Sequence, residues 1–433
     1  MSGRRVAAAK VSGVSRAPGD PLRVGIFTDD FYPHSGGVTR SIEQQIDHLV
    51  ALGHQVTLFA PRFEFSPPDN CGWEALDYWR LPQTPSYLCS LRVGARLARR
   101  IATEHLLDVV HSQNERGSIY LAAQVAAASG VPHVHTFHSN YVGTHRTSPG
   151  SSGLNSLTYL PLSGRLLRLA SGRGGAPDLR LPPSAAAAED SAFARRDWRS
   201  LARLAHGVDA FTSPARYMID CLTDAAPSLA GRGHVVASGV AVEFPAATRQ
   251  RPPSSTTRFV SCGRLGGEKR VDAVIRAFGE LGREDAELVI IGDGPELSAL
   301  QQLAAQVRHG HIQFLGHVDD VSDIAQQVAD ADVFVLASYH FDTQGMVLAE
   351  AAAAGTPILY CDERLSVGVG PDNALLTGPS VAELATGMAS LMNDPERRAS
   401  MARASRELGA GLSGTAMAEA YAAVYRQAGE PHS

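Results

Sequence analysis

The sequence predicts an α/β protein made of two doubly wound parallel-sheet domains that face one another across a cleft. Three observations support this prediction. The 433 residues are enough for two domains, and short apolar runs alternate with helical stretches in both halves of the chain. A proline-rich segment with Pro245, Pro252 and Pro253 lies between the halves and is the expected interdomain linker.

In the first half, strands and helices alternate after an N-terminal tail, residues 1–21, that we expect to be disordered. The apolar run 22–27 has the length and flanks of a buried strand, and a helical stretch then continues through Ile42 to about Gly53. Further strands are expected at 55–59, 108–111, 133–137, 209–213 and 234–236. The first domain is therefore expected to cover 22–245.

Residues 146–200 interrupt this alternation. They are rich in Gly, Ser, Pro, Ala and Arg, and they include the runs 172–175, Gly-Arg-Gly-Gly, and Pro182-Pro183. Such a composition is typical of loops, so we expect a flexible excursion at the edge of the first sheet.

The second half repeats the alternation and predicts a second domain at 255–413. Its strands are expected at 259–262, 288–291, 312–314, 333–336 and 357–360. An amphipathic stretch at about 415–426 predicts a C-terminal helix within a final segment, 414–433. Ligands of doubly wound sheets bind outside the carboxyl ends of the strands, so both domains should present loops to one cleft.

Several functional classes are disfavoured. No apolar run approaches the ~18 residues that span a bilayer, and the five scattered cysteines, without a C-x-x-C pair, fit a reducing cytoplasm rather than a disulfide framework or a cysteine zinc site. The chain lacks G-x-G-x-x-G after the first strand of either half, a P-loop, a G-x-S-x-G elbow and H-E-x-x-H. A net charge of −5 without aromatic–basic interleaving disfavours nucleic-acid binding.

The two halves of the chain differ in net charge, and lysine is rare among the basic residues. Residues 1–250 carry 25 Lys and Arg against 20 Asp and Glu, whereas residues 251–433 carry 14 against 24, so the two halves should have different partners. Only Lys10 and Lys269 are lysines. Lys269 lies in the glycine-rich run 263–269 directly after a strand, together with Arg264. Their two cations suit a diphosphate, although a solvated basic loop would have the same composition.

A second candidate region begins at Asp342. Gly345 is expected to open a helix that continues through Ala354, and free backbone N–H groups at Gly345 and Met346 would favour an anion. Asp342 and Glu350 are eight residues apart and can reach opposite ends of one extended polar ligand. The alternative is that Asp342 only caps the helix and Glu350 is a charge on its face.

A third candidate is His138, at the end of the strand at 133–137, where it would point into the cleft. A single histidine at a strand end also fits a purely structural role.

Together these residues resemble glycosyltransferase family 4, whose members have the GT-B fold of two Rossmann-like domains. The resemblance covers about residues 22–410 apart from 146–200 and depends on an ordered set of short motifs. These are Pro33-x-x-Gly36-Gly37, Val110-His111, His135-x-x-His138, Gly263-Arg264-x-x-x-Glu268-Lys269, Gly292-Asp293-Gly294-Pro295, Phe314-Leu315-Gly316 and Gly345-x-x-x-x-Glu350-Ala351-x-Ala353-x-Gly355-Thr356-Pro357.

The resemblance implies that Arg264 and Lys269 hold the diphosphate of a nucleotide-sugar donor and that Glu350 binds its ribose hydroxyls. Asp342 and the amides of Gly345 and Met346 would position the donor sugar. The family has Glu where this chain has Asp342, which is one methylene shorter.

Four further positions receive roles from the resemblance. The backbone at 316–318, including Val318, would face the base, and His138 would contact the donor sugar from the acceptor domain. Gly36 and Gly37 would approach the phosphate. Ser238-Gly239 stands where the family has Asn-Gly.

The resemblance also implies a reaction. Family members transfer sugar with retention of configuration and need no metal or other cofactor. Segments 110–115 and 135–141 look most like diacylglycerol glucosyltransferases, which implies UDP-glucose and a lipid acceptor at the inner face of the membrane. Arg92, Arg96, Arg99 and Arg100 lie at helical spacing and would contact anionic lipid or simply form a solvated helix face. The Arg-rich residues 165–203 would serve the same purpose or simply be disordered.

Alternatives remain at this stage. The same reaction could use a soluble cyclitol or natural-product aglycone, or a phosphatidylinositol-type lipid with GDP-mannose. A GT-B epimerase or hydrolase would need no acceptor, and a sugar-nucleotide sensor would need no acceptor-side histidine.

Overall fold

The computed structural model describes residues 20–30, 37–62, 69–80, 89–147, 149–172, 177–180, 191–252 and 254–430. Within these ranges the chain forms two parallel sheets, one of seven strands and one of six, with helices packed on them. The predicted α/β architecture of two doubly wound sheets is therefore confirmed. Among these described residues no helix is both long and apolar enough to cross a bilayer.

The first sheet has the strand order β3-β2-β1-β6-β7-β8-β9. Its strands, all parallel, are β1 (Arg23–Phe27), β2 (Gln55–Pro61), β3 (Gly72–Leu76), β6 (Val109–Ser112), β7 (His133–Thr136), β8 (Ala210–Ser213) and β9 (Gly233–Val235). A separate antiparallel pair joins β4 (Tyr78–Arg80) to β5 (Cys89–Leu91). Sequence reasoning missed β3, because this edge strand is only partly buried and lacks a continuous apolar run.

The helices of the first half follow the amphipathic pattern that the sequence predicts. In the first of them, Ile42, Ile46 and Leu49 recur on one face and are fully buried against the sheet. The helices are α1 (Gly37–Ala51), α2 (Ala95–His105), α3 (Gly117–Ser129), α4 (Thr144–Thr147), α5 (Pro149–Leu157), α6 (Tyr159–Ser171), α7 (Ala192–His206), α8 (Arg216–Ala225) and α9 (Glu243–Ala246).

Helices α5, α6 and α7 correct the expectation of a flexible excursion at 146–200. Leu160 and Leu167 of α6 are fully buried, as are Trp198 and Leu201 of α7, and all four join one core cluster with Phe211 of β8. The many Gly and Ser residues concealed these apolar positions at helical spacing. The described parts of the excursion are therefore an integral layer of the first domain.

The second sheet has the order β12-β11-β10-β13-β14-β15. Its strands are β10 (Thr257–Cys262), β11 (Ala286–Ile291), β12 (His311–Gly316), β13 (Val333–Leu336), β14 (Ile358–Tyr360) and β15 (Ala374–Leu376). Its helices are α10 (Val271–Glu280), α11 (Leu297–Ala304), α12 (Val321–Ala329), α13 (Met346–Ala353), α14 (Val381–Asn393) and α15 (Pro395–Gly409). Two buried clusters, one on each face of the sheet, form its core.

The last helix, α16 (Gly414–Ala428), returns from the second domain to the first. Met417, Tyr421 and Tyr425 are buried in one cluster with Val24 of β1 and Ile42 of α1. The position of this helix matches the amphipathic stretch in the sequence, whereas its packing on the first sheet was not predicted.

Candidate functional site

The loop between β13 and α13 lies against the first domain at the carboxyl edges of both sheets. Several hydrogen bonds join the two sides, among them Thr343 Oγ1 to His138 O (2.8 Å), Tyr217 OH to Asp342 O (3.1 Å) and Asn140 Nδ2 to His340 O (3.3 Å). These bonds bring the predicted donor-side residues next to the predicted acceptor-side histidine. The cleft expected from the two sheets is therefore closed around this loop.

Lys269 and Asp342 form the central ion pair of this region. Lys269 ends a 3₁₀ turn, Gly267–Lys269, that follows β10, and its Nζ lies 2.5 Å from Asp342 Oδ1. The other carboxylate oxygen, Oδ2, is buried and has no hydrogen-bond partner among the described residues. A ligand hydroxyl would satisfy this oxygen. Asp342 is not the cap of α13, so the structural alternative considered for it does not hold.

The N-terminus of α13 faces the N-terminus of α1. Gly345 is the N-cap of α13, with φ 68° and ψ 61°, a left-handed conformation that favours glycine. Gly37 begins α1 so close to Met346 that a Cβ at Gly37 would lie 3.2 Å from the Met346 sulfur. Two helix N-termini with free N–H groups therefore converge, an arrangement that favours an anion. Gly36 lies outside the described residues.

Glu350 is buried on α13 and contacts a cation from the other domain. Its Oε1 lies 3.5 Å from Arg40 Nη1 on α1. Burial raises the pKa of Glu350, and the Arg40 guanidinium opposes that rise. Sequence reasoning missed Arg40, although it stands three residues after Gly37 and so shares a helix face with it.

Arg264 lies on the same loop as Lys269, but its side chain contacts Glu268 instead of Asp342. Its Nη2 lies 2.5 Å from Glu268 Oε1, and 61% of its side chain is exposed. The structure therefore does not bring Arg264 to Asp342. The loop backbone is held by the motif at 292–294, since a Cβ at Gly292 would lie only 2.0 Å from Gly263 O.

His138 is held by an amide side chain of its own domain. Its Nε2 lies 2.6 Å from Gln113 Oε1, and the Gln113 Nε2 group donates to Gln45 Oε1 at 2.8 Å. That second bond fixes the amide orientation, so His138 must carry its proton on Nε2. Burial lowers the pKa of His138 to about 3. The imidazole is therefore neutral near pH 7.

The hydrogen-bond chain continues from His138 into α16. Gln45 Nε2 donates to Tyr425 OH at 2.7 Å, and this hydroxyl lies 2.8 Å from His111 Nδ1. Gln45, Gln113 and Tyr425 were not among the predicted site residues. Gln113 falls within the segment 110–115 quoted for the family resemblance, whereas Gln45 and Tyr425 carry no sequence signal.

The Ser238-Gly239 position and Val318 complete the predicted set. Ser238 Oγ lies 2.9 Å from Ser41 Oγ on α1, and Ser238 N donates to Gln344 Oε1 at 2.9 Å, so this dipeptide links both helix N-termini. Val318 follows β12 and packs partly buried against the core of the second domain. No described contact joins Val318 to Lys269 or Asp342.

Within the described ranges, His340, Asp362 and Glu363 are a group whose ligand atoms are close enough to share a metal ion. The contacts among them have a structural explanation. Asp362 accepts from the His340 amide at 2.6 Å and from Arg364, while His340 Nε2 lies 3.0 Å from Glu363 Oε1. These bonds hold His340 in a left-handed conformation, φ 54°, at the base of the Asp342 loop.

Comparison with known proteins agrees with this geometry in both halves of the chain. Residues 35–244 match the model described as Glycosyltransferase Family 4, and residues 247–408 match the model described as Glycosyl transferases group 1. The boundary between the two matches falls in the proline-rich linker.

Two curated relatives and one solved structure illustrate the similarity. The chain is 25% identical over 358 residues to an alpha-monoglucosyldiacylglycerol synthase of Streptococcus pneumoniae, covering 78% of this chain and 70% of that protein. It is 27% identical over 407 residues to a GDP-mannose-dependent alpha-(1-6)-phosphatidylinositol monomannoside mannosyltransferase of Mycobacterium tuberculosis, covering 89% and 93%.

HepE of Anabaena, solved in complex with UDP, superposes with a TM-score of 0.64 at 15% identity, covering 94% of this chain and 100% of that one. This similarity concerns the fold, while the two family models cover the motifs in the loops around the cleft. The chain therefore belongs to glycosyltransferase family 4 and is a glycosyltransferase with the GT-B fold.

Proposed function

We propose that this enzyme transfers a hexose from a nucleotide-diphosphate sugar, UDP-glucose, to a hydroxyl of a membrane lipid such as diacylglycerol, with retention of configuration and without a metal ion. The observation that carries this proposal is the convergence of Lys269, Asp342 and two helix N-termini at one point of the cleft. Such a site suits a diphosphate joined to a sugar.

In this proposal the leaving group is stabilised by protein charges alone. Negative charge develops on the departing nucleotide diphosphate, and Lys269, Arg264 and the amides at the starts of α1 and α13 stabilise it where a metal otherwise would. Arg264 must turn from Glu268 towards the phosphates, which its exposed side chain permits. The unpartnered Asp342 Oδ2 accepts a hydrogen bond from the donor sugar.

The acceptor proton needs a base other than His138. With its pKa lowered to about 3 and its Nε2 proton donated to Gln113, His138 orients the sugar as a neutral group. The acceptor oxygen attacks the anomeric carbon on the face from which the diphosphate leaves. The bond from that carbon to the phosphate oxygen breaks, and this oxygen takes the acceptor proton.

Glu350 and Arg40 would serve the nucleoside. The ribose hydroxyls donate to the buried Glu350 carboxylate, whose present partner is Arg40 of the other domain. Because Arg40 belongs to α1, donor binding at Glu350 is coupled to the relative position of the two domains. Closure of the cleft then excludes water from the activated sugar.

The names of the relatives support a lipid acceptor. The Streptococcus pneumoniae relative is a diacylglycerol glycolipid synthase, which agrees with the similarity of segments 110–115 and 135–141. A second candidate is a phosphatidylinositol-type acceptor with GDP-mannose, favoured by the Mycobacterium tuberculosis relative, which aligns over more of both chains.

The test is nucleotide release from UDP-glucose, UDP-galactose, UDP-N-acetylglucosamine and GDP-mannose in the presence of a chelator. Each donor is assayed without lipid, with vesicles containing diacylglycerol, and with vesicles containing phosphatidylinositol. We expect release from UDP-glucose that rises sharply with diacylglycerol, and we expect the anomeric configuration of the glycolipid to match that of the donor.

Other outcomes would replace this proposal. Release from GDP-mannose that depends on phosphatidylinositol would favour the second candidate. Nucleotide release that does not change when any of the vesicles is added would indicate a soluble acceptor or a hydrolase. Activity that disappears with the chelator and returns with a divalent cation would refute metal independence.

A further inference from the structure

Two consecutive helices of the first domain, α5 and α6, carry an unusual set of exposed leucines. Between 38% and 74% of each residue's surface is exposed in five of them: Leu154, Leu157, Leu162, Leu166 and Leu169. Single exposed leucines are common on protein surfaces, but a contiguous apolar patch generally marks a surface that another body covers.

Helix α6 is apolar on two opposite faces. Leu160 and Leu167 are fully buried in the core of the first domain. Leu162, Leu166 and Leu169 are spaced i, i+4, i+7, so they form one continuous stripe on the outer face. Packing among the described residues explains the first stripe and leaves the second unexplained.

Arginines of the neighbouring helix flank this stripe. Arg196, Arg199 and Arg203 share the outer face of α7 and, with Pro161 of α6, line a surface cavity of about 330 Å³. The two helices are in close contact, since a Cβ at Gly164 of α6 would lie 2.5 Å from the Arg203 Cβ. The leucines and the arginines therefore form one surface.

The charge of these arginines is not compensated within the described part of the chain. No described acidic side chain pairs with Arg196, Arg199 or Arg203, and Arg199 Nε is buried without a hydrogen-bond partner. One oxygen of the nearby Asp197 carboxylate, Oδ2, is bound by His145 and Ser156, and the other, Oδ1, is buried without a hydrogen-bond partner among the described residues. Burial and the neighbouring arginines 199, 168 and 196 lower the pKa of Arg203. An external anion would relieve this repulsion.

The sequence offered a second basic surface, on α2 and the preceding Arg92, and the structure favours α5–α7 over it. Arg100 is bound by Glu74 and Glu104, and Arg92 lies 4.3 Å over the Trp79 ring. The apolar residues of α2 face the core, with Ile101 fully buried. Its outer face has the composition of a solvated helix.

We propose that the outer faces of α5, α6 and α7 are the surface by which this enzyme docks on a membrane containing anionic lipid. The leucines enter the boundary between headgroups and acyl chains, and the arginines lie at the level of the lipid phosphates. The proposal rests on the proposed function in one respect, that the lipid acceptor is drawn from this membrane.

The position of the surface fits delivery of a lipid to the cleft. Tyr159, at the start of α6, donates its hydroxyl to the carbonyl of Glu115, which follows β6 at the carboxyl edge of the first sheet. Tyr217, in the same core cluster as α6, donates to Asp342 O. The docking helix thus begins at the edge of the cleft.

Docking is tested by sedimentation of the full chain with vesicles of phosphatidylcholine, with and without phosphatidylglycerol, in the absence of any donor or acceptor. We expect wild-type protein to bind only the anionic vesicles and to be released by salt. The pair Leu162→Glu and Leu169→Glu should reduce partitioning at least tenfold. Arg196→Gln and Arg199→Gln should each reduce it about fivefold, from about 1 kcal/mol per basic residue. Leu376→Glu, an exposed leucine of the second domain, is the matched control and should bind like wild type.

The proposal would be overturned if the variant with both leucines replaced bound anionic vesicles as well as wild type does. It would also be overturned if the wild-type protein bound neutral and anionic vesicles equally. A third contrary result is a wild-type protein that binds no vesicles and forms a dimer which the two leucine substitutions dissociate. The surface would then be covered by a second copy of the chain. Thermal melting checks folding, and Leu162→Ser with Leu169→Ser replaces the glutamate pair if it fails to fold. Nucleotide release with detergent-dispersed acceptor is measured separately, so failure of docking and failure of the transferase function are distinguishable.

Discussion

Lys269 is the side chain on which the proposed chemistry depends most. Its Nζ lies 2.5 Å from Asp342 Oδ1 across 73 residues of sequence, beside the loop that leads into α13. Its only companion among the lysines of the chain is Lys10 in the N-terminal tail. At nearly every other basic position the chain uses arginine, so a compact ammonium at this position indicates a specific requirement.

Replacing Lys269 should impair the chemical step. Lys269→Ala removes one donor to the departing diphosphate and should cost about 2–4 kcal/mol of transition-state stabilisation, or about 30- to 1000-fold in kcat/KM. Arg276→Ala, on the exposed face of α10 in the same domain, is the matched control and should retain activity. Steady-state kinetics with the active donor measure both, and unchanged turnover in Lys269→Ala would remove Lys269 from the mechanism.

His138 and His111 should make stability depend on pH. Burial lowers the pKa of His138 to about 3 and holds that of His111 well below its usual value. In the unfolded chain both titrate near 6.5, so below that pH the unfolded state binds protons that the folded state does not. The contribution of these two histidines to the free energy of unfolding should be constant above pH 6.5. It should fall by up to about 1.4 kcal/mol per pH unit per histidine as the pH decreases below 6.5.

Thermal melting between pH 7.5 and 5 checks this expectation. His138→Gln removes one of the histidines whose pKa is lowered in the folded protein, so its melting temperature should fall less steeply than that of wild type. Identical slopes would show that the pKa of His138 in the folded protein is close to its unfolded value.

Single positions also show which contacts sequence motifs do not predict. Asp342 and Lys269 were predicted as donor-side residues from separate motifs, and the structure brings them into contact. Arg40 and Gln113 were missed because their importance comes from the partners they meet, Glu350 and His138. A side chain that works through a distant partner leaves no local pattern in the sequence.

Among the helices and loops, α13 is the one whose start forms part of the proposed anion site. The left-handed φ of 68° at Gly345 turns the chain into the helix and presents the Met346 amide. A Cβ at Gly345 would lie 3.3–3.5 Å from the side chains of three leucines: Leu365, Leu348 and Leu336. The expectation that Gly345 opens this helix agrees with the observed bounds, Met346–Ala353.

Gly345→Ala should therefore reduce both stability and donor affinity. A left-handed conformation costs an L-residue about 1–2 kcal/mol, and the crowded Cβ would move the first turn of α13. Urea unfolding should show this loss, and the KM for the donor should rise. Gly282→Ala is the matched control, since Gly282 has φ 60° and open space around it. If both variants kept the same donor KM, the start of α13 would not form the anion site.

Helices α5–α7 illustrate how composition can mislead. The stretch 146–200 reads as a loop because it is rich in Gly, Ser and Pro, yet most of its described part is helical and buries Trp198 and Leu167. The helices are stabilised by contact with α3 and α8 rather than by their intrinsic propensity. Composition alone does not contain that contact.

For the complete chain, α16 is the element that joins the two domains. It follows the second domain in sequence and packs on the sheet of the first, burying Met417, Tyr421, Val424 and Tyr425. Tyr425 also supplies the hydroxyl that binds Gln45 and His111. The first domain is therefore incomplete without α16.

Truncation at Ser413 should unfold the first domain. Each large apolar side chain of α16 contributes about 1.5–3 kcal/mol by burial, and their sum is comparable to the 5–15 kcal/mol that stabilises a typical domain. Circular dichroism should show a loss of helix and of cooperative melting that exceeds the removal of α16 itself. A chain truncated after Ala428 is the control and should melt like wild type. Cooperative melting of the shorter chain at the wild-type temperature would contradict this role of α16.

The amino-acid sequence alone establishes the two α/β domains, most of the strand positions and the short motifs that carry the family resemblance. These features follow from periodicity and from short motifs, which are local properties of the chain. Tertiary structure alone decides which of these residues meet: Lys269 with Asp342, Glu350 with Arg40, and His111 with Tyr425. It also decides that α6 keeps a second apolar stripe on its outer face. The physical reason is that such contacts depend on how separately folded layers pack, and a local pattern cannot encode the position of a partner hundreds of residues away.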